Sequence, residues 1–169
     1  MIQKTMPFTP FHFGPSACVA LPLRRYLDFS VFVLVSVVID VEPLYVMAYN
    51  PHYPLHGYAH TFVGSALIGA VFGWLLYRLR GPMRRVMAKL RIAYEPSLPQ
   101  AIFSGVLGAW FHVFLDSMLY GDIRPLYPLA WNPLLGFVGF REMYIGCAVA
   151  CIPAVGLYLY YAARYVSRK

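Results

Sequence analysis

Four long apolar stretches dominate the pattern of hydrophobic and polar positions along this chain. They run roughly from Phe29 to Ala48, from His60 to Leu79, from Ala101 to Tyr120 and from Met143 to Ala163. Each is close to the ~20 residues that a helix needs to cross a bilayer. A fifth stretch, from Phe11 to Leu23, would cover only about 20 Å as a helix. The pattern predicts one all-α domain over residues 1–169, an integral membrane bundle of about five helices with a short first helix.

The composition supports a membrane environment and argues against nucleic acid as a partner. The chain is 60% hydrophobic and 12% charged, whereas a soluble domain is typically about 25% charged. Its net charge of +7 could suit nucleic acid, but the basic residues lie in segments that flank the apolar runs. This distribution is typical of membrane topology rather than of a duplex-binding surface. We therefore expect membrane lipids as the surroundings and partners of the chain.

The basic residues also predict an orientation, because Lys and Arg are enriched on the cytoplasmic side. They precede the Phe29 stretch, fill the link between the His60 and Ala101 stretches and follow the last stretch, at Arg24, Arg25, Arg78, Arg80, Arg84, Arg85, Lys89, Arg91, Arg164, Arg168 and Lys169. Alternating helices place all these clusters on one face. We expect this face to be the cytoplasmic face of a bacterial or archaeal inner or plasma membrane, with the C-terminus inside. The N-terminus is outside if the short first helix spans, and inside if it does not.

A long loop and a pair of glycines are two further features of the sequence. The loop from Gly121 to Arg141 is aromatic and proline-rich, which suits either an interfacial anchor or a lid for a substrate. Gly69 and Gly73 form a GxxxG pair that predicts close helix packing, within one chain or in a homo-oligomer or larger complex.

Ionisable residues inside apolar stretches are functional candidates, because burying them in lipid is costly. His56 and His60 are four residues apart, which would place them on one helix face, and His112 and Asp116 repeat this spacing. Asp40 and Glu42 lie near the end of the first long stretch. Pro43 predicts that the helix ends there, which would free both carboxylates to turn toward one point. His12 begins the short first helix.

The predicted topology brings these residues to one membrane depth on the non-cytoplasmic side. The candidate metal ligands are His12, Asp40, Glu42, His56, His60, His112 and Asp116. Imidazole and carboxylate together suit zinc first, with manganese or iron as alternatives. The set exceeds the needs of one tetrahedral ion, so we expect two metals, or one metal with a general base. Taken singly, a His could instead hydrogen-bond a neighbouring helix, and an Asp could serve a proton relay.

Three other polar residues have simpler interpretations. His52 lies in the outer loop and is expected to be an exposed histidine. Asp122 and Arg124 follow the third long stretch, where they could pair with each other or Arg124 could hold a phosphate. We favour the pairing.

These segments resemble the YdjM-like family of membrane-bound metal-dependent hydrolases. The matching pieces are TPFHFG around His12, VVIDVEP, HGYAHTF and HVFLDSMLYG, which together span roughly His12 to Gly121. The resemblance implies a helical fold distantly similar to zinc-dependent phospholipase C and P1-type nucleases. It implies the metal ligands His12, Asp40, His56, His60, His112 and Asp116. The chain departs from the family pattern at three positions, with Ile39 for Pro, Glu42 for Asp and Gly57 for Arg.

We therefore predict a membrane-embedded metal-dependent hydrolase acting on a lipid or lipid-linked substrate, most simply at a phosphoester. The candidate catalytic residues are Glu42, as general base or additional ligand, and Asp116. A lipid amide hydrolase similar to the ceramidase-like zinc enzymes is an alternative. A non-catalytic metal-binding subunit of a membrane complex is another, since a structural metal site is closed whereas a catalytic site keeps a position for water. Few polar groups continue toward the cytoplasmic face, which argues against an ion transporter.

Overall fold

Seven α-helices make up the computed structural model, which describes residues 9–49 and 52–167. The helices are α1 (Phe13–Ala20), α2 (Phe29–Val38), α3 (Val41–Tyr49), α4 (Phe62–Arg78), α5 (Arg80–Lys89), α6 (Leu98–Ser117) and α7 (Phe140–Val166). Short 3₁₀ helices cover Thr9–His12 and Tyr58–His60. The described residues contain no strand, so the all-α class is confirmed.

Within the described residues, three stretches are long and apolar enough to cross a membrane. They are Phe29–Tyr49, which joins α2 and α3, together with α6 and α7. The pair α4 and α5 makes a fourth if it is counted as one stretch, although the two helices are bent by 79°. The sequence predicted only a link after Leu79, but the basic residues there form the separate helix α5. Helix α1 has eight residues, in keeping with a short first helix.

Side chains at the helix starts explain where three helices begin. The Asp28 carboxylate accepts from the backbone N–H groups of Ser30 and Val31 at the start of α2. Thr61 accepts from the Gly64 N–H at the start of α4, and Ser97 forms a capping box with Gln100 at the start of α6. Such caps satisfy N–H groups that have no partner within the helix.

Helices α4 and α6 pack with their backbones in direct contact. A Cβ on Gly73 would lie 2.5 Å from the Ala101 carbonyl oxygen, and Gly69 and Gly105 each face the other's backbone with no room for a side chain. The predicted GxxxG packing is therefore confirmed, and it lies within one chain. Apolar residues of α2, including Val31 and Val35, pack with α6 to complete the core.

The first long stretch breaks at a different place from the one predicted. Helix α2 ends at Val38 and α3 begins at Val41, so the break falls at Ile39 and Asp40. Pro43 does not end a helix, because it lies in the first turn of α3, where its missing N–H needs no partner. The break brings Asp40, rather than Glu42, to the end of α2.

Candidate metal centre

Helix α6 supplies two adjacent donors near its C-terminal end. His112 and Asp116 are one turn apart, and the His112 Nε2 lies 3.3 Å from the Asp116 Oδ2. Both residues are buried. The i, i+4 spacing seen in the sequence therefore places the two side chains side by side, as expected for a helix.

Two more donors reach the same point from other segments. The Asp40 Oδ1, at the break between α2 and α3, lies 3.4 Å from the His112 Nε2. The His60 Nε2, in the 3₁₀ turn before α4, lies 3.3 Å from the same nitrogen. One donor atom from each of Asp40, His60, His112 and Asp116 lies within 4.8 Å of all the others. This group could hold a metal ion.

The distances around the His112 Nε2 fit a small coordination shell. A tetrahedral ion with ligands at about 2.0–2.1 Å separates neighbouring donors by about 3.3–3.4 Å. The three distances from the His112 Nε2 are 3.3, 3.4 and 3.3 Å. Two imidazoles and two carboxylates suit zinc, and also manganese or iron, so the donors alone do not select one metal.

The Glu42 carboxylate fixes which nitrogen of His60 faces the cluster. Glu42 Oε2 lies 3.0 Å from the His60 Nδ1, and the carboxylate also accepts from the backbone N–H groups of Gly57 and Ala59. Burial lowers the pKa of His60, which favours the neutral ring. In a neutral ring whose Nδ1–H donates to the Glu42 carboxylate, the Nε2 lone pair is left to face the other donors. A Cβ at Gly57 would lie 2.7 Å from the Glu42 Oε1, so a side chain at this position would push the carboxylate away.

Burial makes the cluster costly unless its charges are compensated. Asp40, His60, His112 and Asp116 are between 0% and 2% exposed, and charged groups at this depth are normally paired or bound to metal. The Asp116 Oδ1 and the His112 Nδ1 are buried without a hydrogen-bond partner among the described residues. A cation among the four donors would compensate the two carboxylates, so the residues fit a metal ion.

His12 lies at the edge of this group. Its Nε2 is 3.2 Å from the Asp116 Oδ1, without the alignment of a hydrogen bond, and its ring stands edge-on to His112 with centroids 4.5 Å apart. The His12 Nδ1 is also buried and unpartnered among the described residues. The structure therefore brings His12 against the cluster, but it does not belong to the four-donor group.

His56 and Glu42 occupy an outer layer around the donors. The His56 Nδ1 lies 3.0 Å from the Asp122 Oδ1, and its ring centroid is 4.6 Å from that of His60. The prediction that His56 and His60 share a helix face was wrong, because α4 begins only at Phe62. Burial alone would raise the pKa of Asp122, but hydrogen bonds from His56 hold it below its usual value.

The structure also tests the predictions for His52 and for the Asp122–Arg124 pair. His52 is exposed, as the sequence indicated. Asp122 contacts His56 rather than Arg124, so the favoured pairing was wrong. Sequence reasoning also missed the role of Asp122 in orienting His56. No local spacing signals this contact, since the two residues are 66 positions apart.

A cavity of about 280 Å³ opens beside the cluster. Its walls include Tyr53, His56, Thr61, Asp122, Arg124 and Tyr127. Of the described lining residues, Arg124 alone carries a permanent positive charge. His56 lines this cavity and also contacts the His60 ring, with ring centroids 4.6 Å apart.

Comparisons of this chain with protein-family models, with curated proteins and with solved structures found no match. The likeness to the YdjM-like family therefore stays a prediction based on the four sequence segments. The chemistry of the site follows from its own donors and neighbours.

Proposed function

We propose that this chain is a membrane-embedded, metal-dependent hydrolase that acts on a lipid or lipid-linked substrate, at a phosphoester. The observation that carries the proposal is the convergence of Asp40, His60, His112 and Asp116 on one buried point with the spacing of metal ligands. The proposed site lies one turn from the end of α6, where, in the proposed membrane arrangement, this helix would reach the headgroup layer.

The donor types favour catalysis over a structural role. Structural zinc sites are built mainly from cysteine thiolates, whereas hydrolytic sites use histidine and carboxylate. The described cysteines, Cys18, Cys147 and Cys151, do not belong to the four-donor group. A lipid substrate suits the position, because its scissile bond already lies at headgroup depth.

The residues around the donors would divide the work of the reaction. A divalent ion in such a site lowers the pKa of bound water toward about 7 and supplies positive charge to the attacked group. Glu42 orients His60 through Nδ1. His56, oriented by Asp122 and facing the cavity, is placed to accept a proton. Arg124 in the cavity wall would bind the phosphate oxygens of the substrate.

Elemental analysis of the purified chain tests the metal site. We expect bound metal in the wild type and its loss in His60→Ala and Asp116→Ala, because each change removes one donor. His52→Ala, which removes an exposed histidine outside the site, is the matched control and should keep its metal. Unchanged metal content in both site variants would end the ligand assignment.

Turnover assays separate the chemistry from metal binding. Detergent-solubilised protein is offered phosphoester lipids and amide lipids side by side. His56→Gln should keep its metal but lose at least about 100-fold in kcat, the usual scale for a general base. Arg124→Gln should raise KM for the phosphoester substrate. Hydrolysis of the amide alone would favour the ceramidase-like alternative, and full activity of His56→Gln would remove it from the proton-transfer role.

One observation favours a second candidate, a non-catalytic metal site. The four donors are almost fully buried, as is typical of closed structural sites. In that case chelation should unfold the protein, and neither class of lipid should be hydrolysed.

A further inference from the structure

Three arginines line a second cavity at the opposite end of the bundle. The cavity holds about 180 Å³ and receives Arg24 from the segment after α1, Arg91 from the segment after α5 and Arg164 from the last turns of α7. No acidic residue is among its described lining residues. Gln100 lines an adjoining cavity that shares Arg24, and the helical rise from Gln100 to His112 is about 18 Å, so this cavity is separate from the candidate metal centre.

Arg24 has an unsatisfied donor inside this cavity wall. Its guanidinium carbon lies 3.4 Å from the ring centroid of Tyr161, so the aromatic face holds the group in place. One terminal nitrogen is buried and has no hydrogen-bond partner among the described residues. The described ion pairs involve only histidines, so no described carboxylate neutralises Arg24, Arg91 or Arg164. A buried, unpartnered guanidinium N–H is unfavourable until an acceptor reaches it.

Arg91 adopts the left-handed backbone conformation that glycine usually adopts at the end of a helix. Its φ is +56°. The Ile92 N–H donates to the Met87 carbonyl oxygen, and the Arg91 N–H donates to the Ala88 carbonyl oxygen. These two bonds form a Schellman motif, in which glycine is usual at the position that Arg91 occupies. A strained arginine at this position points to a role for its side chain.

We propose that this cavity binds a phosphate group, carried either by an anionic phospholipid or by a soluble phosphate compound. Guanidinium groups match phosphate oxygens through paired N–H donors. Basic pockets between membrane helices are suited to anionic headgroups, and Leu21 and Ile92 add apolar walls. A neighbouring cavity of about 470 Å³ shares Arg24 and also contains Arg25, Arg84 and Glu95. Because the Glu95 carboxylate would repel a phosphate group, we assign the binding site to the smaller cavity, whose described lining has no acidic residue.

Two binding measurements on the full-length, delipidated protein in detergent test the proposal. Native mass spectrometry follows retention of phosphatidylglycerol against phosphatidylcholine, and thermal unfolding follows inorganic phosphate against chloride at equal ionic strength. The variants are Arg24→Gln and Arg91→Gly. Arg78→Gln is the control, because it removes the same charge from a residue that contacts Trp74 outside the cavity.

We expect each cavity variant to weaken binding at least about fivefold, the effect of one basic residue near an anionic surface, while Arg78→Gln keeps wild-type binding. Arg91→Gly should unfold at or above the wild-type temperature, since glycine accepts the positive φ. If Arg24→Gln does not fold, Arg91→Gly decides alone. Preference for phosphatidylglycerol identifies a lipid headgroup, and a shift with inorganic phosphate identifies a soluble ligand. Binding of neither probe, or an equal loss in Arg78→Gln, overturns the proposal.

Discussion

The proton on the His60 ring decides which nitrogen can face a cation. The Glu42 carboxylate is positioned to accept a hydrogen bond from the His60 Nδ1–H, and it also accepts hydrogen bonds from two backbone N–H groups. With three donors on it and only 23% of its side chain exposed, this carboxylate is better placed to position His60 than to bind the ion. Such supporting carboxylates typically contribute 10- to 100-fold to metal affinity.

Substitution of Glu42 distinguishes positioning from base catalysis. Glu42→Gln should weaken metal affinity about tenfold, and Glu42→Ala about 100-fold, measured by competition with a chelator. Glu95→Gln, a change at an exposed residue away from the site, should have no effect. Wild-type affinity combined with lost turnover in Glu42→Gln would instead support the role of general base.

Tyr94 contributes a free energy of folding that should be lost at alkaline pH. Burial, followed by the charge of Asp28, raises the pKa of its hydroxyl to about 12. In the unfolded chain a tyrosine ionises near pH ~10. Between these values the unfolded state loses a proton that the folded state keeps, so this contribution is complete below pH ~10 and disappears as the pH rises through 12.

We therefore expect Tyr94→Phe to reduce the loss of Tm between pH 9 and pH 12. Thermal unfolding in detergent, followed by circular dichroism, measures this loss. Tyr26→Phe is the matched control, because Tyr26 is exposed. A decline as steep in Tyr94→Phe as in the wild type would contradict the assignment.

At the scale of elements, glycine brings α4 and α6 together. A Cβ at Gly105 would collide with the backbone of Gly69, whereas Gly146 on α7 has open space around its Cα. The helices can approach this closely only because neither carries a side chain at the contact.

Gly105→Ala should destabilise the protein by about 1–3 kcal/mol, the usual cost of overpacking. Gly146→Ala should be neutral or slightly stabilising, because alanine favours a helix. Reversible denaturation in mixed micelles would compare the two. Equal stabilities would mean that the α4–α6 contact is looser than described.

The elements also show which parts of the site the sequence could predict. His112 and Asp116 follow the helical period, so their proximity could be read directly. His60 lies in a 3₁₀ turn, and apolar periodicity does not distinguish such a turn from the helix that follows it. Pro43 predicted the end of a helix, but proline is equally compatible with the first turn of a new helix. The contact between His56 and Asp122 depends on tertiary folding and has no local signal.

At the scale of the whole molecule, the bundle has two chemically different ends. The described histidines and most of the carboxylates gather at one end, and most of the arginines gather at the other. Positive charge is typically retained on the cytoplasmic side, so the predicted orientation puts the candidate metal centre outside.

Cysteine labelling in sealed vesicles tests this orientation. In a background without native cysteines, Tyr53→Cys and Arg85→Cys place single thiols on exposed residues at the two ends. A membrane-impermeant maleimide should label the first from outside and the second only after lysis. The reverse pattern would invert the topology.

The glycine contact between α4 and α6 has a consequence for how a cation would be captured. The turn carrying His60 leads directly into α4, and His112 and Asp116 lie on α6, so main-chain packing rather than the ion sets the gap between these side chains. Most of the conformational entropy of these donor side chains is then lost during folding and not when an ion binds. Ion uptake should accordingly be rapid, with little change in helicity, unlike the coupled folding of a zinc finger.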